Sequence, residues 1–373
     1  MMDAVIFVKT LGLLIKPVSS ACNLRCRYCF YADVSANRHI KNFGVMSRET
    51  AETIIRRALG EARRVVFGFQ GGEPTLWGLD NFRFFVETAE RLNTKRAKIN
   101  YTLQTNGTLL DGEWASFFTE KDFLIGLSLD GYRELHDASR VGPAGEGSYN
   151  GVMESLKPLS IYKTEFNILS VITPESARRA EKLYRFFRRQ GFGYLQFIPC
   201  IDDFGSEKTS LTDAQYGQFL KTMFDLWYVD VVKRQGVSIR YFDNLLNMYG
   251  GRPPEQCSMN GACSVQFTVE SDGSVYPCDF YVLDEWRLGN VHADSFEAML
   301  ASDTAGRFIA ESRHASAECA GCQWLKICRG GCKRDREPVV GGAPSLNRFC
   351  NAYKDFFAYS DKRFIQLRNS LLG

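Results

Sequence analysis

Residues 21–30 read ACNLRCRYCF, which places three cysteines within eight residues, and the next cysteine follows only at position 200. A closed tetrahedral metal site needs four protein ligands, and this loop offers three. Three thiolates on one short loop suit three irons of a 4Fe–4S cube and leave the fourth iron without a protein ligand. An open coordination position marks a reactive site, as it does at catalytic zinc. The residues alone leave two alternatives, a zinc site that His39 completes and a chance cluster of buried cysteines.

The regular alternation of short apolar runs with helix-like segments indicates the fold class. The predicted strands are residues 11–17, 65–70, 98–106, 123–130, 166–174 and 194–201. The predicted helices are residues 47–62, 79–93, 111–120, 148–160, 176–190 and 211–235. Such βα units in series favour parallel strands with right-handed crossovers and therefore an α/β fold. Because the units are too few for a closed eight-stranded barrel, we expect an open partial (β/α)6 barrel whose site lies at the carboxyl ends of the strands.

The chain changes character after about residue 236, where the periodicity fades and eight cysteines fall between positions 257 and 350. A region this rich in loops buries little core and needs metal to hold it together. Its run C-x2-C-x5-C-x3-C is typical of a metal centre, with zinc as the alternative to iron–sulfur clusters. We expect two domains, residues 1–236 and a cysteine-rich, loop-rich domain over residues 237–373 that ends in a helix near 351–370.

The composition is that of a soluble globular protein, with 45% hydrophobic and 24% charged residues. No run approaches the roughly 18 apolar residues of a membrane span. The apolar start, residues 1–17, carries Asp3 and Lys9 and no cleavage site, so we interpret it as a strand rather than a signal peptide. Twelve cysteines then predict metal ligands, because the cytoplasm keeps thiols reduced. We expect a cytoplasmic protein without membrane or nucleic-acid partners, since its formal charge is +3 and its basic pairs lie in helix-like segments.

The cysteine pattern C-x3-C-x2-C after the first strand, with an aromatic residue before the last cysteine, resembles the radical S-adenosylmethionine (SAM) superfamily. The run GGEP, residues 71–74, follows the second strand and strengthens the resemblance. The resemblance implies that Cys22, Cys26 and Cys29 hold a 4Fe–4S cluster and that SAM is its fourth ligand. An electron from the cluster would cleave SAM to methionine and a 5′-deoxyadenosyl radical, which abstracts a substrate hydrogen.

The same resemblance implies a set of SAM contacts, namely Tyr28, Gly72, Ser128, Arg140 and Ile201. Glycine at position 72 would let the main chain approach the SAM amino group, and Ile201 would touch the adenine side. Taken alone, GGEP is an ordinary turn, Arg140 a surface ion-pair partner and Ile201 a core residue. These alternatives stay open at the level of the sequence.

The cysteines of the second domain resemble those of the SPASM domain of radical SAM peptide-modifying enzymes. The resemblance implies a first auxiliary 4Fe–4S cluster on Cys257, Cys263, Cys278 and Cys332. It implies a second on Cys319, Cys322, Cys328 and Cys350. Neither cluster would have an open iron, so electron transfer is the expected role. Cys200 is left over and is expected to pack as a small hydrophobic residue.

Longer stretches, among them LLIKPVSSACNLRCRYCFY, FQGGEPTL and VESDGSVYPCDFYVLDEWRLGN, resemble anaerobic sulfatase-maturating enzymes from about residue 11 to 360. That family oxidises a cysteine or serine in a C/S-x-P-x-R motif to Cα-formylglycine, and we expect cysteine to be the substrate. The resemblance assigns Asp279, next to Cys278, as the general base. Burial beside an anionic cluster would raise its pKa. The alternative carboxylates are Asp243 and Asp272, the second of which is typical of a hairpin turn.

The family also implies partners, which are an unfolded sulfatase polypeptide as substrate and a flavodoxin- or ferredoxin-type reductant. We expect a monomer. Two other functions remain open, a thioether or carbon–carbon cross-link in a ribosomal peptide on the same scaffold, and a non-catalytic iron–sulfur electron carrier. A first strand that starts by residue 11 counts against an extra N-terminal peptide-recognition domain. An open-site cluster beside GGEP counts against a simple carrier.

Overall fold

The computed structural model describes residues 10–204, 206, 211–313, 316–340 and 343–371. The chain forms two compact units that interleave along the sequence. The first comprises the chain up to Ser128, Asp137–Phe166 and Val265–Phe308; the second comprises Leu129–His136, Asn167–Ser264 and the chain from Ile309 onward. The predicted domain division at residue 236 stays a prediction. Residues 1–9, interpreted above as part of a strand, lie outside the described residues.

The strands in the described residues are β1 (Leu11–Ile15), β2 (Arg64–Phe69), β3 (Lys98–Thr105), β4 (Phe123–Ser128), β5 (Phe166–Ile172), β6 (Tyr194–Pro199), β7 (Ser238–Ile239), β8 (Thr268–Val269), β9 (Ser274–Tyr276), β10 (Gly289–Asn290), β11 (Val339–Val340) and β12 (Ala343–Pro344). The helices are α1 (Phe30–Ala36), α2 (Arg48–Glu61), α3 (Leu79–Leu92), α4 (Gly112–Glu120), α5 (Arg133–Asp137), α6 (Tyr149–Tyr162), α7 (Pro174–Arg178), α8 (Ala180–Arg189), α9 (Asp213–Val232), α10 (Arg240–Tyr249), α11 (Phe296–Leu300), α12 (Asp303–Arg313), α13 (Ala317–Ala320), α14 (Leu325–Cys328) and α15 (Cys350–Leu371).

The first unit is built on a mainly parallel sheet. Strands β1, β2, β3 and β4 pair in parallel in that order, and β8 pairs in parallel with the other side of β1. Strands β9 and β10 continue the sheet in antiparallel fashion. Aligned across the four central strands is one fully buried row, Ile15, Phe69, Leu103 and Ile125. A row buried on this scale explains the near-continuous apolar runs of these strands.

The second unit contains the parallel strands β5, β6 and β7 and a helical layer in which α9 packs against α8 and α15. Aromatic rings from three helices make its core: Phe224 and Trp227 of α9, Phe242 of α10, and Phe356 and Phe364 of α15. Because large aromatic side chains bury the most apolar area, this cluster fastens the C-terminal helix to the unit.

The parallel α/β core is confirmed, and its helices begin where the sequence offers capping groups. The Ser47 hydroxyl accepts a 3.0 Å hydrogen bond from the Thr50 amide at the start of α2. Thr212 and Gln215 form a reciprocal capping box at the start of α9. The helix predicted over residues 176–190 is instead two helices, α7 and α8, which are separated at Arg179.

Several strands end earlier than predicted, and the reason bears on the site. The residues that follow β1, β2 and β3, which are Lys16, Gln70 and Asn106, leave the sheet and turn into loops. Their side chains make long-range hydrogen bonds or ion pairs instead of continuing the strand. The carboxyl ends of the parallel strands therefore carry the polar groups of the first unit.

Candidate active site and cysteine centres

The cysteine loop lies between β1 and α1, at the carboxyl end of β1 in the first unit. Two backbone hydrogen bonds pin it to the segment after α5: the Arg25 amide donates to the Val141 carbonyl at 2.6 Å, and the Arg27 amide donates to the Ser139 carbonyl at 2.9 Å. Its three cysteines are half-buried, and none of them is in a disulfide. Burial raises the pKa of the Cys22 thiol to about 12, so its thiolate form depends on a bound metal.

The GGEP turn lies directly against the residue that precedes the first cysteine. Gly72 has a φ of +58°, and a Cβ atom there would lie 2.1 Å from the carbonyl oxygen of Ala21. The amide of Glu73 donates a 2.8 Å hydrogen bond to the same carbonyl. Only glycine permits this approach of two backbones. The turn is therefore part of the wall of the cysteine loop.

Glu73 ties this turn to the end of β3, a role that sequence reasoning missed. Its buried carboxylate accepts hydrogen bonds from the hydroxyls of Thr75 and Thr105, each at 2.7 Å, and from the Asn106 amide at 2.8 Å. The Asn106 side chain then donates to Asn23 of the cysteine loop at 2.8 Å. Burial raises the pKa of Glu73, and these donors oppose the rise. The available signal was an acidic residue within the glycine turn that follows an apolar strand.

Two of the predicted SAM contacts lie together beside the cysteine loop. The Arg140 guanidinium lies over the Tyr28 ring, 5.5 Å from its centroid. Arg140 is buried, and its carbonyl accepts a 2.8 Å hydrogen bond from the Ser148 hydroxyl, so it is not the surface residue that the alternative required. Ser128 is half-buried and is the last residue of β4. Ile201 follows β6 and belongs to the second unit.

Asp279 lies directly after Cys278, at the start of a short 3-10 turn in the first unit. Its Oδ2 accepts a 2.6 Å hydrogen bond from the Tyr31 hydroxyl and a 2.9 Å hydrogen bond from the Gln70 amide. The same Gln70 nitrogen also donates to the Tyr31 oxygen at 2.5 Å. The other carboxylate oxygen of Asp279, Oδ1, is shielded from solvent and has no hydrogen-bond partner among the described residues. One carboxylate oxygen thus accepts two hydrogen bonds, while the other accepts none from the described residues.

The environment of Asp279 adjusts its acidity. Burial raises the pKa of Asp279 to about 6, and the nearby Lys16 ammonium and the Tyr31 hydrogen bond limit the rise. The Lys16 ammonium lies 5.1 Å from the centroid of the Tyr31 ring. The site therefore combines a carboxylate, a phenol and a cation within the first unit.

A second feature that sequence reasoning missed is a buried ion-pair cluster behind this site. One oxygen of Glu270 lies 2.9 Å from the Lys16 ammonium and 2.6 Å from the Arg38 guanidinium, and all three side chains are 2% exposed or less. Burial alone would raise the pKa of Glu270, but the two cations outweigh it and lower the pKa. The sequence gave no sign of this cluster, because Glu270 lies more than 230 positions from both Lys16 and Arg38.

The alternative residues occupy other places. Asp272 accepts hydrogen bonds from the amide and hydroxyl of Ser274 within the β8–β9 hairpin turn. Asp243, on α10 of the second unit, accepts a hydrogen bond from the hydroxyl of Ser238 in β7. The Nδ1 atom of His39 lies 3.0 Å from Asp284, and its side chain is 92% exposed. Nothing in the described residues thus makes His39 the fourth ligand of a zinc site.

The second cysteine centre is a pocket in the second unit. Cys319, Cys322, Cys328 and Cys350 line it together with Trp324, Tyr353 and Phe357. A single zinc ion would hold four sulfurs at about 2.3 Å from one point. Across the part of the chain that the structure describes, no three cysteine, histidine or acidic side chains are placed to hold one such ion. Four thiols that line one pocket also suit a 4Fe–4S cube, whose four irons each take one cysteine.

The other predicted ligands are divided between the units. Cys257, Cys263 and Cys332 belong to the second unit, whereas Cys278 belongs to the first. The amide of Cys263 donates a 2.7 Å hydrogen bond to the Ser312 hydroxyl, and burial raises the pKa of the Cys332 thiol. Cys200 is 4% exposed, as expected of a packing residue.

The chain is similar to known families and proteins over nearly its whole length. The pattern of the radical SAM superfamily matches residues 17–187, and that of the SPASM iron–sulfur cluster-binding domain matches residues 257–323. A cysteine-type anaerobic sulfatase-maturating enzyme of Clostridium novyi (strain NT) is 46% identical, over 94% of this chain and 95% of its own. A serine-type enzyme of Bacteroides thetaiotaomicron is 31% identical, over 95% of this chain and 90% of its own.

A solved structure extends the comparison to three dimensions. Native anSMEcpe with bound AdoMet and Cp18Cys peptide superimposes with a TM-score of 0.93 at 44% identity, over 97% of this chain and 99% of that chain. Among the helices of the described residues, none has the length and apolar character needed to cross a membrane.

Proposed function

Because this chain belongs to the anaerobic sulfatase-maturating enzymes of the radical SAM superfamily, we propose that it oxidises a cysteine in a C-x-P-x-R motif of a sulfatase to Cα-formylglycine. Radical SAM and SPASM domains bind 4Fe–4S clusters, and SAM is the cosubstrate. The observation that carries the proposal is the half-buried Asp279 carboxylate. Tyr31 and Gln70 donate hydrogen bonds to one of its oxygens, and the other, which is shielded from solvent, has no hydrogen-bond partner among the described residues.

The proposed ligands of the three clusters are the free cysteines described above. Cys22, Cys26 and Cys29 would hold the SAM-binding cluster. Cys257, Cys263, Cys278 and Cys332 would hold the first auxiliary cluster, and Cys319, Cys322, Cys328 and Cys350 the second. When bound, SAM and the clusters supply the 5′-deoxyadenosyl radical that removes a β-hydrogen and accept the electron that the substrate then gives up.

The residues of the chain would bind SAM and handle the remaining proton. The backbone at Gly72 and the side chains of Ser128 and Arg140 would provide polar contacts to SAM. The Tyr28 ring packs against the Arg140 guanidinium. Ile201 would provide an apolar contact to the adenine. Oδ1 of Asp279 would take the thiol proton of the substrate cysteine, while Tyr31 and Gln70 keep Oδ2 in place. Loss of one hydrogen atom, one proton and one electron turns CH2SH into a thioaldehyde, and water converts this to the aldehyde with release of hydrogen sulfide.

Cysteine is proposed as the substrate because identity to the cysteine-type relative exceeds identity to the serine-type relative, at 46% against 31%. We further propose a flavodoxin- or ferredoxin-type reductant, a monomeric enzyme and a cytoplasmic location. The last agrees with twelve cysteines that are all free thiols in the structure.

The test uses anaerobically reconstituted protein with dithionite, SAM and two synthetic peptides, one C-x-P-x-R and one S-x-P-x-R, followed by mass spectrometry. We expect an aldehyde on the cysteine peptide with 5′-deoxyadenosine formed in step. Asp279→Asn should lose this conversion and retain SAM cleavage, whereas Asp272→Asn, at the hairpin turn, should retain both. SAM cleavage without change in either peptide would overturn the proposed substrate, and a search for cross-linked peptides would follow.

A further inference from the structure

The segment that leaves β6 is held by two arginines of the second unit. The guanidinium of Arg348 donates to the carbonyl of Cys200 and to Oδ2 of Asp202, both at 2.6 Å. Arg334 donates to the backbone carbonyl of Asp202 at 2.6 Å, and its guanidinium lies 3.9 Å from the centroid of the Phe204 ring. The two arginines therefore contact the segment on both sides of Ile201, at the carbonyls of Cys200 and Asp202, and also at the side chains of Asp202 and Phe204.

Each arginine lies two positions along the chain from a cysteine that is proposed as a cluster ligand. Arg334 follows Cys332 by two positions, and Arg348 precedes Cys350 by two positions. The amide of Arg348 also donates a 2.9 Å hydrogen bond to the carbonyl of Asp335, which joins the two cysteine segments through their backbones. Any displacement of either cysteine segment would thus be passed to residues 200–204.

The Arg348 contact has the character of a strong interaction. The side chains of Arg348 and Asp202 are only 20% and 12% exposed, so water screens their charges weakly. Two acceptors in different directions, a carbonyl and a carboxylate, use the rigid fork of a guanidinium, which the single ammonium of lysine cannot reproduce. The chemistry therefore calls for arginine rather than for any cation.

We propose that Arg348 is a positioning residue for SAM: it fixes residues 200–204, and thereby Ile201, to the segments that carry Cys332 and Cys350. The inference rests on the proposed function, because it takes Ile201 as a SAM contact. It goes further in that it couples SAM affinity to a side chain outside the SAM site. Loss of the Arg348 guanidinium removes no cysteine and frees the Cys200 carbonyl and the Asp202 carboxylate, while Arg334 still holds the Asp202 carbonyl.

The experiment measures SAM binding directly, with no peptide present. The full chain is reconstituted anaerobically as wild type, Arg348→Lys and Arg348→Met, and the dissociation constant for SAM is measured by equilibrium dialysis. Iron content and hydrogen exchange at residues 197–204 are measured on the same samples. For both Arg348→Lys and Arg348→Met we expect a SAM dissociation constant about tenfold above that of the wild type. Their iron content should equal that of the wild type, and hydrogen exchange at residues 200–204 should be faster.

The matched control is Arg363, an arginine of α15 in the same unit. It pairs with Asp225 at 2.6 Å and lies over the rings of Phe224 and Tyr359, so it shares the ion pair and the aromatic contact but not the β6 exit. Arg363→Met should leave the SAM dissociation constant and the exchange of residues 200–204 at wild-type values.

Two results would overturn the inference. The first is a SAM dissociation constant in Arg348→Met equal to that of the wild type. The second concerns Asp202→Asn, which is used if Arg348→Met loses iron. Asp202→Asn removes the carboxylate contact without altering a cysteine segment. A SAM dissociation constant in Asp202→Asn equal to that of the wild type would then overturn the inference. A wild-type protein that binds no SAM would overturn the proposed function and this inference with it.

Discussion

The hydroxyl of Tyr31 donates a 2.6 Å hydrogen bond to Oδ2 of Asp279 across 248 positions of sequence. Tyr31 follows Cys29 by two positions, and Asp279 follows Cys278 by one. The bond therefore links the loop proposed to hold the SAM-binding cluster to the turn proposed to carry the base. It holds Oδ2, so Oδ1 is the oxygen that we propose takes the substrate proton.

Tyr31→Phe removes this hydrogen bond and should slow formylglycine formation while SAM cleavage continues. A hydrogen bond to a charged group contributes about 1.5–3 kcal/mol, so formylglycine formation should fall about 10- to 100-fold. SAM cleavage should persist, because Tyr31 contacts the proposed base and is not among the proposed SAM contacts. Mass spectrometry of the cysteine peptide and chromatography of 5′-deoxyadenosine give the two rates. Tyr162→Phe, at a tyrosine that is 43% exposed, is the control; equal product rates in both variants would contradict the assigned role.

Glu270→Gln should destabilise the protein strongly. The substitution leaves the buried cations Lys16 and Arg38 without a counter-charge, and breaking a buried ion pair in this way costs about 3–5 kcal/mol. Urea denaturation of the anaerobic holoprotein measures the loss. The matched change is Glu154→Gln, since Glu154 pairs with Lys157 at 2.6 Å but both side chains are more than 60% exposed. Its denaturation midpoint should stay at the wild-type value, and a similar midpoint for Glu270→Gln would refute the prediction.

Gly72→Ala should abolish SAM binding, because the new methyl group would clash with the backbone of the cysteine loop. A second glycine, Gly236, serves as the control for this clash. Gly236 has the same φ of +58°, but a Cβ atom there meets nothing within 4 Å, whereas at Gly72 it meets the Ala21 carbonyl at 2.1 Å. The cost of a left-handed alanine, about 1 kcal/mol, is common to both variants. We therefore expect Gly236→Ala to bind SAM normally in equilibrium dialysis. Normal binding by Gly72→Ala would show that the turn can shift without consequence.

Iron content should separate ligand cysteines from the packing cysteine. Three 4Fe–4S clusters contain about twelve irons, and loss of one cluster leaves about eight. Cys350→Ser should approach the lower value, because Cys350 lines the pocket with three other cysteines. Cys200→Ala should keep the full content, since Cys200 is buried and is not among the proposed ligands. Iron and sulfide analysis after reconstitution checks both, and equal contents in the two variants would reject the ligand assignment.

Much of this protein could be predicted from local sequence. The alternation of apolar runs and helical periods predicted strands that the structure places at Leu11–Ile15, Arg64–Phe69 and Lys98–Thr105, because strand and helix periods are properties of neighbouring residues. The three-cysteine loop and the GGEP turn indicated the superfamily for a similar reason: a cluster loop and a tight turn are each built from consecutive residues.

Only the tertiary structure decided which side chains meet. The burial of Glu73 against Thr105, the pairing of Lys16 with Glu270 and the contact of Tyr31 with Asp279 each join separate segments. No local period encodes such pairs, since a buried charge selects its partner by distance and desolvation rather than by position in the chain. Sequence by itself determined the elements and the chemical groups available. The packing of those elements determined that Tyr31 and Gln70 hold one oxygen of Asp279 and that, among the described residues, Oδ1 has no hydrogen-bond partner.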